Sequence, residues 1–362
     1  MKPTQQLHQA GQSLWLDNIT RDLLTDGTLR RYIDELAISG LTSNPTIFDH
    51  AFGGSESYDD AIRAAAAEGL APEEAFFRLA IEDLQGAADL FRATWDRTNG
   101  IDGWVSLEVS PRLAHDAEST RAAATDLSGR AGRPNLFIKI PGTPEGLPAI
   151  EESIFAGVPI NVTLLFSREQ YLAAAEAYMR GVERRVEAGL DPAVGSVASV
   201  FVSRWDTAPE SKDRSGDLRN ALGIAAAKRS YAAYRELLDS PRWGRLANEG
   251  AQPQRLLWAS TGTKDPEASD VLYVRALAAP FTINTMPEKT LMAFGDHGEV
   301  TDFLPADGGD ADEVIGRFEA DGVDLDALAS RLQSEGASAF VTSWDELLGT
   351  IEQKSAALAG SR

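Results

Sequence analysis

The 362-residue chain contains no cysteine, which excludes disulfides, thiolate nucleophiles and cysteine-ligated zinc or iron–sulfur centres. Histidine is nearly as scarce. His8, His50, His115 and His297 are scattered without metal-ligand spacing, so no metal centre is expected. No apolar run approaches the roughly 20 residues of a membrane helix, and the polar opening "MKPTQQLHQAGQS" lacks the apolar core of a signal peptide. A cytoplasmic location without membrane attachment is the expectation. Positive charge is also short: 34 Lys and Arg stand against 55 Asp and Glu, a net charge of −21. So acidic a surface repels nucleic acid and anionic membrane, and an anionic substrate would need a locally positive pocket. Lysine is the rarer cation, with seven against 27 arginines. A lysine inside an apolar run is therefore unlike the chain's general habit.

Eight short β-type runs are present: 13–17, 38–44, 103–109, 135–140, 158–163, 195–204, 255–260 and 280–285. Amphipathic helical stretches separate them, such as "SREQYLAAAEAYMRGVERRVEAG" and "GIAAAKRSYAAYRELL". Alternating strand and helix signals predict a parallel sheet. Eight repeats predict a closed (β/α)8 barrel, a TIM barrel of the α/β class. No G-x-G-x-x-G follows the first run, which weighs against a dinucleotide-binding fold. A helical insertion at about 50–100, an extra loop at 207–220 and a C-terminal helical extension at about 310–360 complete the expectation. The last amphipathic helix, 343–358, is placed near the barrel mouth. No linker rich in Pro, Gly or Ser divides the chain, so 1–362 reads as one domain.

Catalytic groups of such barrels come from the C-terminal ends of the strands. Those ends carry Asp17, Thr42 with Ser43 and Asn44, Glu108, Lys139, Asn161 with Thr163, Ser199 with Arg204, Ser260 with Lys264, and Asn284 with Thr285. Lys139, in "NLFIKI", admits two readings. Desolvation can leave a lysine as a free amine that attacks carbonyls to form a Schiff base, or it can pair with Asp17 or Glu108 as a structural ion pair. Asp17 and Glu108 suit acid/base work. Asp17 can equally be a helix N-cap ahead of "ITRDLL", and Glu108 a surface residue of an alternating strand. As a carboxylate pair they also resemble a glycosidase centre, which leaves Lys139 without a role. Arg204 and Lys264, the latter in "STGTKD", are candidates for phosphate; both can equally be exposed loop cations.

The segments "GLTSNPTIFDHA" (40–51), "VSLEVSPRLAHD" (105–116), "NLFIKIPGTPEGLPAIE" (135–151), "INVTLLFSREQY" (160–171), "ASVFVSRWD" (198–206), "STGTKD" (260–265) and "TINTMPEKTL" (282–291) resemble the transaldolase family. The overall length and "STGTK" look like its actinobacterial and cyanobacterial branch. The resemblance implies a Schiff-base lysine at Lys139 and an acid/base at Asp17. It implies that Glu108 and Thr163 hold the water that shuttles protons. Asn44, Asn161 and Ser199 would hold the hydroxyls of a dihydroxyacetone unit, with Thr42 lining the site. Arg204 and Lys264, beside Ser260, would bind the sugar phosphate. The implied reaction moves dihydroxyacetone from sedoheptulose 7-phosphate to glyceraldehyde 3-phosphate, giving erythrose 4-phosphate and fructose 6-phosphate. It needs no cofactor, because the iminium is the electron sink. A fructose 6-phosphate aldolase-type lyase is the alternative. Sugar phosphates are the expected partners, and a monomer or homodimer the expected state.

Overall fold

The computed structural model describes residues 1–211 and 214–359, so residues 212 and 213 of the loop expected at 207–220, and the chain's last three residues, lie outside the described residues. Eight strands close into a parallel barrel in sequence order: β1 (Ser13–Asp17), β2 (Ile38–Thr42), β3 (Val105–Glu108), β4 (Leu136–Pro141), β5 (Ile160–Leu165), β6 (Ser196–Phe201), β7 (Gln254–Ala259) and β8 (Ile283–Met286). Every expected run overlaps one strand, and the (β/α)8 architecture is as predicted. Strand ends differ. The run expected to reach Arg204 stops at Phe201, and Arg204 lies in the short helix Ser203–Thr207. Asn44 stands beyond β2 and caps the helix Pro45–Gly54, its side chain accepting from the Ile47 N–H at 3.0 Å. An N-cap oxygen followed by a proline stops the strand and starts the helix at this point.

Alternation sends every second residue into the barrel. At its N-terminal end these are bulky. Trp15 fills the lumen opposite Gly40 in the β1–β2 register, and Trp104 stacks on Phe137 with ring centroids 4.0 Å apart. Buried Asp102 accepts from the Trp15 indole N–H at 2.9 Å and from the Ser13 hydroxyl. The Arg255 guanidinium donates to Ser13 Oγ at 2.7 Å and to the Thr282 carbonyl at 2.9 Å. This plug closes one end of the barrel, so chemistry is confined to the other.

The insertion between β2 and β3 contains the helices Pro45–Gly54, Asp59–Ala67 and Pro72–Arg97. The C-terminal helix is longer than expected. It runs from Leu325 to Ala359 without a break, beginning well before residue 343. It packs on the insertion through Trp344, which meets Phe76 edge-on at 4.9 Å. Among the described residues no helix is long and apolar enough to cross a membrane.

Gly40 is required by close approach. A Cβ there would lie 2.6 Å from the Trp104 carbonyl and 2.7 Å from the Trp15 ring. Gly40→Ala is expected to cost about 1–3 kcal/mol of stability through overpacking, read by urea denaturation. An unchanged midpoint would mean that Trp15 is not held as described.

Candidate active site

Strand register gathers the site. Glu108 is the β3 partner of Lys139 on β4, Lys139 is the partner of Asn161 on β5, and Asp17 is the partner of Thr42. Lys139 and Glu108 are only 6% and 7% exposed. Lys139 Nζ stands 2.5 Å from Glu108 Oε1 and donates to the Ser43 carbonyl at 3.2 Å. The ion pair foreseen as one reading is therefore present, and it sits at the catalytic end of a barrel. Glu108 is not a surface residue. Nor is Asp17 a cap: Thr20 accepts the Leu23 N–H and begins the helix Arg21–Thr25. Asp17 instead accepts from the Thr42 hydroxyl at 2.7 Å, and Thr42 Oγ1 lies 2.6 Å from Thr285 Oγ1.

A cavity of about 340 Å³ opens at the mouth. Asp17, Thr42, Asn44, Lys139, Ser199, Arg204, Ser260 and Lys264 line it. Glu108, Asn161 and Thr163 are packed behind that lining, all buried. Asn161 donates to Ser106 Oγ at 3.1 Å and accepts from Ser199 Oγ at 2.7 Å. Thr163 Oγ1 is buried with no hydrogen-bond partner among the described residues. Ser260 Oγ lies 2.8 Å from Ser203 Oγ, next to Arg204.

Burial raises the Asp17 carboxyl above the usual carboxylate range, while Lys139, the Thr42 hydroxyl and Lys264 oppose the rise. Burial likewise raises Glu108, against the pull of Lys139 and with help from the charge of Asp17. Arg204 is lowered by desolvation, partly offset by Glu335. Neither Arg204 nor Lys264 has an ion-pair partner among the described residues, although 55 acidic residues are available in the chain. Two cations without ion-pair partners give this end of the cavity a local positive charge in an otherwise acidic protein.

Several site residues escaped the sequence reading. Phe340, from the C-terminal helix, lines the cavity with its ring centroid 5.8 Å from Lys139 Nζ. His50 and Ile47 lie on the capped helix after β2. Phe201 could have been found by alternation from Ser199; Phe340 carries no local signal, because only tertiary packing brings it there. Among the described residues no three His, Asp or Glu side chains gather where they could hold a metal ion.

A barrel with an amine, two carboxylates and two cations at its C-terminal mouth is built as an enzyme of the aldolase kind. The chain belongs to the transaldolase/fructose-6-phosphate aldolase family, whose model matches residues 14–351. It is 45% identical to a transaldolase of Thermobifida fusca over 363 aligned positions, covering 98% of this chain and 99% of the relative. Transaldolases of Saccharopolyspora erythraea (46% identical, 96% of each chain) and Mycolicibacterium paratuberculosis (44%, 94% of each) are similar over nearly their full lengths. These relatives are actinobacterial, in agreement with the actinobacterial and cyanobacterial branch that the sequence resembles.

One buried acid lies just outside the cavity. Asp206, 6% exposed, accepts from the Gly223 N–H at 3.1 Å and the Tyr273 hydroxyl at 2.9 Å. Burial pushes its carboxyl up to about 6. The folded protein thus holds this proton to higher pH than the unfolded chain. Stability from this group is full below the unfolded value, falls as pH rises to about 6 and is level above. Asp206→Asn removes the slope. The stability difference between the two proteins is expected to move in favour of the variant by up to about 3 kcal/mol between about pH 4 and about pH 6. Urea denaturation across that range measures it, and a constant difference would contradict the burial.

Proposed function

We propose that this protein transfers a dihydroxyacetone unit from sedoheptulose 7-phosphate to glyceraldehyde 3-phosphate through a Schiff base on Lys139. The observation that carries the reading is the buried Lys139 Nζ held 2.5 Å from Glu108 Oε1, in one cavity with Asp17 and two unpartnered cations. Barrel and helical additions work as one domain, in the cytoplasm, as a monomer or homodimer.

The steps follow from the placement of the groups. Glu108 takes a proton from the ammonium, and the free amine attacks the ketose carbonyl. The carbinolamine loses its hydroxyl as water, with Glu108 and Thr163 moving the protons through a bound water, and an iminium remains. The Asp17 carboxylate then takes the proton of the C4 hydroxyl. The C3–C4 bond breaks, its electrons pass to the iminium, and erythrose 4-phosphate leaves while an enamine stays on Lys139. The enamine adds to the aldehyde carbon of glyceraldehyde 3-phosphate, and Asp17 returns its proton to the new alkoxide. Hydrolysis of the iminium releases fructose 6-phosphate. Arg204 and Lys264, with Ser260, hold the phosphate; Asn44, Asn161 and Ser199 hold the hydroxyls of the three-carbon unit, and Thr42 orients Asp17. A raised Asp17 carboxyl is suited to giving back the proton it takes. Transfer rather than release requires the enamine to be kept from water, and Phe340 covers the amine on that side. The full-length relatives, which carry the transaldolase name, favour transfer over the lyase alternative.

Borohydride added with fructose 6-phosphate is expected to leave a three-carbon adduct on Lys139, located by peptide mass spectrometry; active protein without an adduct would refute the Schiff base. Erythrose 4-phosphate added as acceptor should yield sedoheptulose 7-phosphate with little free dihydroxyacetone, whereas the lyase reading requires the reverse. Lys139→Arg keeps the charge and loses the nucleophile, so turnover should vanish while the thermal melt is retained; appreciable residual activity contradicts the assignment.

Asp17→Ala is expected to keep adduct formation and to slow carbon–carbon cleavage by about 10²-fold or more, the usual scale of a lost acid/base. In the unmodified protein cleavage should fail on the acid side as Asp17 takes a proton, at a pH above the usual carboxylate range. Single-turnover kinetics separate the two steps, and equal loss of both would overturn the division of labour.

A further inference from the structure

The C-terminal helix meets the site along one face, at Gln333, Gly336 and Phe340. Below this face β5 is irregular. Val162 pairs with Ala198 and Leu165 with Val200, so Thr163 and Leu164 together stand opposite Ser199. One extra residue on one strand is a β-bulge, which frees backbone groups from the ladder and re-aims side chains. Leu164 has φ of +59°, a conformation a leucine keeps only where its surroundings hold it.

Gln333 supplies that hold. It is buried, and its Nε2 donates to the Leu164 carbonyl at 2.9 Å and to the Gly142 carbonyl at 3.1 Å, using both amide hydrogens. Gly142 in turn donates its N–H to the Thr163 carbonyl at 2.7 Å. The turn that ends the strand of Lys139 and the bulge that carries Thr163 are therefore closed around one side-chain amide. Gly336 permits the approach, since a Cβ there would come within 2.9 Å of Leu164 Cδ2. The Thr163 hydroxyl has no partner of its own to fix it, so the backbone beneath it must.

We propose that Gln333 is a positioning residue for imine formation: by holding the Leu164 and Gly142 carbonyls it sets where the Thr163 hydroxyl stands beside the strand of Lys139. Docking of the C-terminal helix is thereby coupled to proton handling at the lysine, beyond its covering of the mouth. The inference rests on the water-handling role given to Thr163 above.

Gln333→Met keeps length and removes both donors. In the full chain it is expected to slow borohydride-trapped adduct formation on Lys139 from fructose 6-phosphate about tenfold, the scale of two ordinary hydrogen bonds. Inhibition by inorganic phosphate, which reads the Arg204 and Lys264 end of the cavity, should be unchanged. In a Thr163→Ala background the same substitution should add less than about twofold, because both changes then act on one group. Adduct formation at the unmodified rate, or an equal loss in both backgrounds, overturns the assignment. Should Gln333→Met not fold, Gly336→Ala keeps the amide and presses on Leu164; a slowed adduct supports the coupling and an unchanged rate overturns it. Active unmodified protein that forms no adduct removes the Schiff-base reading and this inference with it, an outcome distinct from the others.

Discussion

The structure turns on one buried charge. An ammonium inside a barrel is expensive unless it is paired and hydrogen-bonded, and Lys139 is both, through Glu108 and the Ser43 carbonyl. Removing either partner would strand a charge in a low-dielectric interior. The same burial that makes the pair costly also makes it mobile. Desolvation pushes Glu108 toward its protonated form, which is the form left behind when the lysine gives up its proton. Under the proposed Schiff-base reading, the structural pair and the reactive amine are one arrangement in two protonation states. Asp17, bonded to Thr42, stays coupled to the pair through its charge, which raises Glu108 while Lys139 opposes its own rise.

The remainder of the barrel serves that arrangement. Its N-terminal half is packed with Trp15, Trp104 and Phe137 and sealed by the Asp102 and Arg255 network. At the mouth, polar side chains face an open cavity. Outside, the protein carries a net charge of −21, and against it Arg204 and Lys264 place positive charge in the cavity at the mouth. The acid Asp206, on the same short helix as Arg204, fastens that helix to Gly223 and Tyr273.

The fold was legible because strand and helix periods alternate eight times, and because Asp17 and Glu108 end their strands and Lys139 lies near the end of its own, in a register that follows from barrel closure. Side chains governed by period two were within reach, Ser199 among them. What stayed hidden depended on contacts between distant elements. Phe340 and Gln333 lie on a helix whose pattern says only that one face is apolar. The bulge at Leu164 leaves no mark in "INVTLLF", since a leucine at positive φ is held there by its tertiary neighbours. The sequence conceals the end of β6 for a related reason: the apolar run continues past Phe201 to Val202, and the turn into the helix at Ser203 carries no glycine or proline to announce it.

The C-terminal helix is attached almost wholly to residues remote in sequence. Thr350 donates to Asp49 at 2.6 Å, Thr46 to Ser343 at 2.9 Å, and Lys354 to the Phe52 carbonyl at 2.8 Å. Contacts this far apart form slowly, because the chain between them must first be ordered. The eight strands need none of them to complete their own ladder. The covering of the mouth thus depends on contacts of the same long range as the β1–β8 pairing that closes the barrel. Phe340 comes over the amine of Lys139 only when the C-terminal helix is seated on the helices that follow β2.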